Sequence, residues 1–188
     1  MRIVASSLLV LLAASPAYAD GGSGASFDFG YVRSRVAVTD HTALDGDLAR
    51  FGIRISLSKH FHFGGEAEEG SLAGTTSLPS GAVARQSEEP MGPLGGNTLG
   101  IKAYAGMHTT VGAWVFGADA ALGIRDSWVS SDEGPDVAGR KGEPLFEVRS
   151  RVDMFVTRSV TFGAMASTDL LERRNVSLAA VLSLNFTR

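Results

Sequence analysis

The chain lacks cysteine altogether, has little proline, and beyond its first nineteen residues has no long apolar run. Each absence removes a class of protein. With 0 Cys in 188 residues there is no disulfide scaffold, and no cysteine follows the leader to carry a lipid anchor. No stretch after residue 19 approaches the roughly 18 apolar residues that a spanning helix needs. Against 6 Pro stand 23 Gly, and the glycines have no three-residue period, which excludes a collagen-like fibre. Positive charge is also in short supply. Once the leader takes Arg2 with it, 16 Lys and Arg face 20 Asp and Glu, a balance that gives no footing for a nucleic-acid partner.

The leader is the first positive feature. Arg2 supplies a basic start, residues 3–14 an apolar core, and Ala17, Tyr18 and Ala19 a small-x-small cleavage site. Residues 1–19 therefore read as an export signal and residues 20–188 as one mature domain.

In the mature chain the dominant period is 2, the repeat of a strand with two unlike faces. Residues 49–57 place Ala49, Phe51, Ile53, Ile55 and Leu57 opposite Arg50, Gly52, Arg54 and Ser56. Residues 176–186 repeat the pattern. Eight strands follow, over about 26–36, 48–58, 60–70, 97–108, 111–124, 144–156, 159–168 and 175–187. Polar connections at 37–47, 71–96, 125–143 and 169–174 alternate with tight turns near Lys59, Thr109 and Thr157. The fold class expected is all-β, an eight-stranded antiparallel up-and-down transmembrane β-barrel with its long loops outside and its turns in the periplasm.

Alternation alone leaves two facings open: apolar residues toward lipid, or apolar residues inward as in a soluble periplasmic lipocalin-like barrel with a solvated, charged exterior. Glycine favours the first. Gly30, Gly52, Gly64, Gly100, Gly106, Gly117, Gly123 and Gly163 fall on the polar face, and only Gly65 and Gly112 on the other. Strand glycine marks close approach of other groups, as in a crowded lumen. The polar face carries Arg50, Arg54, Lys102, Arg149 and Arg151 against Asp28, Glu66, Glu68, Asp119, Glu147 and Asp153. In a narrow lumen such charges are expected to pair.

Aromatics form two groups. Phe27, Phe29, Phe61, Phe63, Trp114, Phe116, Phe155 and Phe186 are expected near the periplasmic interface, and Phe51, Trp128 and Phe146 near the outer one. Arg33 and Arg35 break the first strand's pattern by sharing the parity of Phe27, Phe29 and Tyr31. Either the strand reaches the outer rim there, where arginine meets anionic headgroups, or a bulge exchanges its faces.

On these patterns the chain resembles the small outer-membrane barrels of the OmpA and OmpX type found in Gram-negative bacteria. The most telling segment is the last strand, where Leu182, Leu184 and Phe186 look like the C-terminal signal read by the barrel-assembly machinery. Members of the group typically end on the aromatic, whereas here Thr187 and Arg188 follow it. The resemblance implies an outer-membrane location, biogenesis with periplasmic chaperones, contact with outer-membrane lipids and lipopolysaccharide, and a membrane-stabilising, adhesive or host-interacting role without a cofactor. A few members are lipid A-modifying enzymes, which keeps that reading open.

Candidate chemistry is sparse. His60 and His62 are two apart and near Glu66 and Glu68, but two ligands without a third do not define a metal site. His41, with Asp40, Asp45 and Asp47, lies at the outer end, where Ser127 or Ser130 from another loop is a candidate nucleophile. The glycine clusters at 21–24 and 92–96 lack the lysine and the strand-to-helix setting of a nucleotide site.

Overall fold

The computed structural model describes residues 24–38, 43–75, 93–131 and 140–187. The expected leader, Asp40, His41 and most of the 71–96 connection lie outside these residues. Eight strands close into one antiparallel barrel in chain order: β1 (Gly24–Ala37), β2 (Ala43–Ser56), β3 (Phe61–Thr75), β4 (Pro93–Val111), β5 (Trp114–Ser131), β6 (Glu143–Thr157), β7 (Val160–Asp169) and β8 (Val176–Thr187). Closure is made by β1, which pairs with both β2 and β8.

The registers fix the barrel's shape. From Phe29 one path leads through Phe51 and Ala67 to Ile101 on β4. The opposite path runs through Leu182, Phe162, Met154 and Trp114 to Val111, ten residues further along the same strand. That stagger, with strands about 4.8 Å apart rising about 3.3 Å per residue, tilts them by roughly 40°. Each residue then climbs about 2.5 Å along the axis, so an apolar band about 25 Å tall takes about ten residues. β7, with 10 residues, just fills it; β4, with 19, and β5, with 18, overshoot at the end that carries the long connections.

Strand limits expected from sequence are thus too short at this loop end. Residues 43–47 belong to β2, 71–75 to β3 and 93–96 to β4, rather than to connections. At the opposite, turn end, the β4–β5 turn falls on Gly112 and Ala113 instead of Thr109. Gly112 has φ of 60°, which β-branched Thr109 resists.

Outward positions carry a band of exposed apolar side chains that includes Phe29, Ile53, Ile101, Phe116, Leu122, Phe162 and Leu182. Phe29 and Phe51 are register partners with ring centroids 5.9 Å apart in an edge contact, so Phe51 sits level with Phe29 and not at the far interface. Because β2 begins at Ala43, Phe51 falls well inside the strand. β1 has no bulge: its pairing with β2 is continuous, and Arg33 and Arg35 face outward above Tyr31. Among the described residues a register shift lies between β6 and β7, at Phe155 and Thr157.

At the loop end, in residues expected from sequence to be strand ends and connections, the two faces exchange character. Val36, Val38, Leu44, Leu72, Leu94 and Val129 point inward and cluster, while Arg33, Arg35, Asp45, Asp47 and Glu69 are exposed on the outside. Val32, Leu48, Met165, Ala179 and Val181 form a second inward cluster. Parity never changes along the strands; the surroundings do. Above a membrane the exterior meets water, so the interior can hold an ordinary apolar core.

Candidate functional site

The middle of the lumen is a chain of charges. β2 supplies Arg50 and Arg54, β3 Glu66 and Glu68, β4 Lys102, β5 Asp119, and β6 Glu147, Arg149, Arg151 and Asp153, all on inward positions. Arg50 Nε donates to Glu68 Oε1 at 2.6 Å, and its Nη2 donates to the same oxygen. Lys102 Nζ is shared among three carboxylates: it donates to both oxygens of Glu147 at 2.9 Å, and lies 2.8 Å from Glu68 Oε2 and 3.6 Å from Glu66. Arg149 bridges Glu66 at 2.6 Å to Asp119 at 3.3 Å, with its guanidinium carbon 4.3 Å from the centre of the Tyr104 ring.

A second group closes around β1 and β8. Arg151 donates to Asp28 Oδ2 at 2.5 Å, to both oxygens of Asp153 and to Ser183 Oγ at 2.6 Å. Arg54 lies 3.8 Å from Asp28 and 3.7 Å from Asp153. In a buried setting each charge needs such partners, because desolvation of an unpaired ion costs several kcal/mol.

Sequence reasoning missed Arg125, because β5 was drawn to end at residue 124. Its guanidinium is 3.5 Å from Glu147 Oε1 and 3% exposed. With Arg125 added, the ion-pair network just described joins six cations to six anions, and the buried Asp169 beside it is met by Asn175 Nδ2 at 3.1 Å. Two histidines near the turn end also serve the lumen. His62 Nε2 pairs with Asp119 Oδ1, and His62 Nδ1 lies 3.1 Å from His108 Nδ1. Both lie on the inward parity of β3 and β4, within the strands expected at 60–70 and 97–108, so the signal was present in the sequence.

Lumen glycines give these side chains room. A Cβ on Gly64 would lie 2.6 Å from the Tyr104 ring, and one on Gly123 would lie 2.7 Å from Lys102 Cγ.

The metal and catalytic candidates are not brought together. His60 belongs to the turn before β3, so its ring does not share the inward face of His62; it sits beside the His108 carbonyl at 3.4 Å. Glu66 and Glu68 are held by Arg149, Arg50 and Lys102 instead of by histidine. Among the described residues no three His, Asp or Glu are grouped to hold a metal. Ser127 is buried inward and its hydroxyl accepts from the Arg140 backbone N–H at 3.2 Å, whereas Asp45 and Asp47 face outward on β2. Ser130 lies in β5; Asp40 and His41 fall outside the described residues. On β8, Leu182, Leu184 and Phe186 share the outward face, and Phe186 meets Phe27 edge-on at 5.8 Å.

A closed eight-stranded barrel with an apolar exterior and an ion-paired interior is the fold of the small outer-membrane barrels, and its lipid-facing band belongs in an outer membrane. No family model and no curated protein matches the chain. Among solved structures it is similar to Ail, the attachment invasion locus protein of Yersinia pestis, in complex with the heparin analogue sucrose octasulfate, with 14% identity and a TM-score of 0.56 over 88% of this chain and 99% of that one. Neisserial surface protein A is similar at 13% identity and a TM-score of 0.55, over 89% and 97% of the two chains. The N-terminal barrel domain of Pseudomonas aeruginosa OprF is similar at 12% identity and a TM-score of 0.50, over 89% and 100%.

Proposed function

We propose that the protein is a non-enzymatic barrel of the outer-membrane surface, whose lumen passes no solute and whose loop end, directed outward, stabilises the membrane or engages partners. The observation that carries this reading is the filling of the interior: cross-linked charges with one apolar cluster beside them inside the band, and a second apolar cluster above both at the loop end. Eight strands leave an interior only wide enough for side chains, so activity falls to the exterior and the loops. Two similar structures, those of an attachment protein and a surface protein, agree with such a role. The outward row of Leu182, Leu184 and Phe186 suits recognition by the barrel-assembly machinery, with periplasmic chaperones before it, and the apolar band suits outer-membrane lipids and lipopolysaccharide. The test is a chain in which residues 76–92 are replaced by a short turn. It should keep heat-modifiable gel mobility in the outer-membrane fraction, give only background conductance in planar bilayers, and leave cells more sensitive to detergent than the wild type does. Ion conduction by the wild type, or a change in lipid A mass that depends on the protein, would refute the reading.

A further inference from the structure

The loop end is not even in height. β7 ends at the top of the apolar band, so the β7–β8 turn, residues 170–175, lies at the membrane boundary while β4 and β5 rise beyond it. Leu170 N–H donates to the Phe146 carbonyl at 2.7 Å, which holds the turn against β6. Leu170 and Leu171 are nonetheless 45% and 60% exposed. Two leucines left bare beside a lipid boundary suit insertion among acyl chains.

Cations surround this turn. Arg173 lies within it, Arg35 sits across from Val176 in the β1–β8 register, and Lys141 lies on the β5–β6 connection next to Arg140, whose guanidinium is 3.6 Å from Glu172. Arg35, Lys141 and Arg173 are exposed and without an ion-pair partner among the described residues. The nearby acids are engaged elsewhere: Glu172 holds Arg174 and Arg140, Glu143 holds Arg140, and Asp47 holds Arg33. Asp45 is the register partner of Arg35 on the same outward face, but the two form no ion pair, so the Arg35 guanidinium keeps its donors for a ligand. Directly below, the barrel exterior has a groove of about 560 Å³ over Ala164 and Ala180, walled by Phe162, Val152 and Leu178 and topped by Tyr31 and Arg33.

We propose that this groove and turn form a seat for one phosphorylated, multiply acylated lipid of the outer leaflet. Arg35, Lys141 and Arg173 meet its phosphates, one acyl chain occupies the groove over Ala164 and Ala180, and Leu170 and Leu171 pack among the remaining chains. The inference rests on the outer-membrane reading above and gives the lipid contact a place.

Native mass spectrometry of the full chain, extracted from vesicles containing bisphosphorylated or dephosphorylated lipid A, tests it. The wild type is expected to carry one phosphorylated lipid and to retain the dephosphorylated form 10- to 100-fold less, the order given by three surface cations. A triple Arg35→Gln, Lys141→Gln, Arg173→Gln variant should lose the preference, and Ala180→Leu, which fills the groove, should lose the bound lipid. Heat-modifiable mobility verifies folding, and the two-lipid comparison on the wild type decides the matter even where a variant fails to fold. Equal retention of both lipids, or an unchanged triple variant, overturns the proposal. A dimer of the chain in place of bound lipid, abolished by Ala180→Leu, assigns the groove to a second copy and also overturns it. A protein found with periplasmic contents sinks the outer-membrane reading itself, whereas an outer-membrane protein without phosphate preference sinks only the seat.

Discussion

Replacing Lys102 by Met probes the lumen most sharply, because the change keeps volume and removes a single charge. Lys102 is 3% exposed and its ammonium lies within 4 Å of Glu66, Glu68 and Glu147. Without it, the three carboxylates share Arg50, Arg149 and Arg125, and within the ion-pair network six cations against six anions become five against six. Breaking a buried ion pair from one side costs about 3 to 5 kcal/mol. A second change, Glu147→Gln in the Lys102→Met background, restores the balance and leaves an amide oxygen to accept from Arg125. It should recover stability, with a coupling of at least about 1 kcal/mol between the two sites. Denaturant unfolding from vesicles, followed by the exposed Trp114 and Trp128, gives both numbers. A single-variant loss below about 1 kcal/mol, or a double variant no better than the single, would refute a lumen held by mutual charge pairing.

Three further outcomes follow from the same geometry. Arg at Ile53, which faces outward in the apolar band, should cost roughly 2 to 4 kcal/mol, whereas Arg at Asp45, above the band, should cost about 0 to 1 kcal/mol; equal costs would show that the band is misplaced. Gly64→Ala should lower stability by about 1 to 3 kcal/mol, since its Cβ meets the Tyr104 ring, and an unaffected unfolding midpoint would contradict that contact. In the β7–β8 turn, hydrogen bonding from Arg174 holds Glu172 down to about 2, so its contribution is complete above the ordinary carboxylate range and is lost progressively as pH falls from that range through about 2. Carboxyl-carbon NMR should find that low midpoint, and an ordinary Glu midpoint would break the pairing.

Strand number, order and facing were legible because an alternation of period 2 leaves a direct trace at every second residue, as in β2 from Ala49 to Leu57 and in β8 from Val176 to Phe186. The charged lumen was legible for the same reason: Arg50, Glu66 and Lys102 interrupt no apolar row. What stayed hidden was the inversion at the loop end. Leu44 and Leu72 stand inward beside exposed Asp45 and Ser71, and a reader who equates polar with lumen must end each strand there. The strand in fact continues with its parity unchanged while its outer surroundings pass from lipid to water. Arg125 was lost to the same early ending of β5, and His62 to its being weighed with His60 as a metal ligand instead of as a partner for Asp119 across the lumen. Turn placement failed at Thr109 because one left-handed glycine, Gly112, outweighed the local pattern.

The absence of cysteine makes the central claim directly measurable, since single cysteines can be spin-labelled along β2 without background. Accessibility to oxygen and to a water-soluble nickel chelate should be read at each position from 44 to 55. The predicted result is a two-residue alternation throughout: Phe51, Ile53 and Ile55 open to oxygen, Asp45 and Asp47 open to the chelate, and Leu44, Leu48 and Arg50 closed to both. Contradiction would be chelate access at Ile53, or an alternation that reverses phase between Asp47 and Phe51, because either would place a water-facing surface where the account requires lipid.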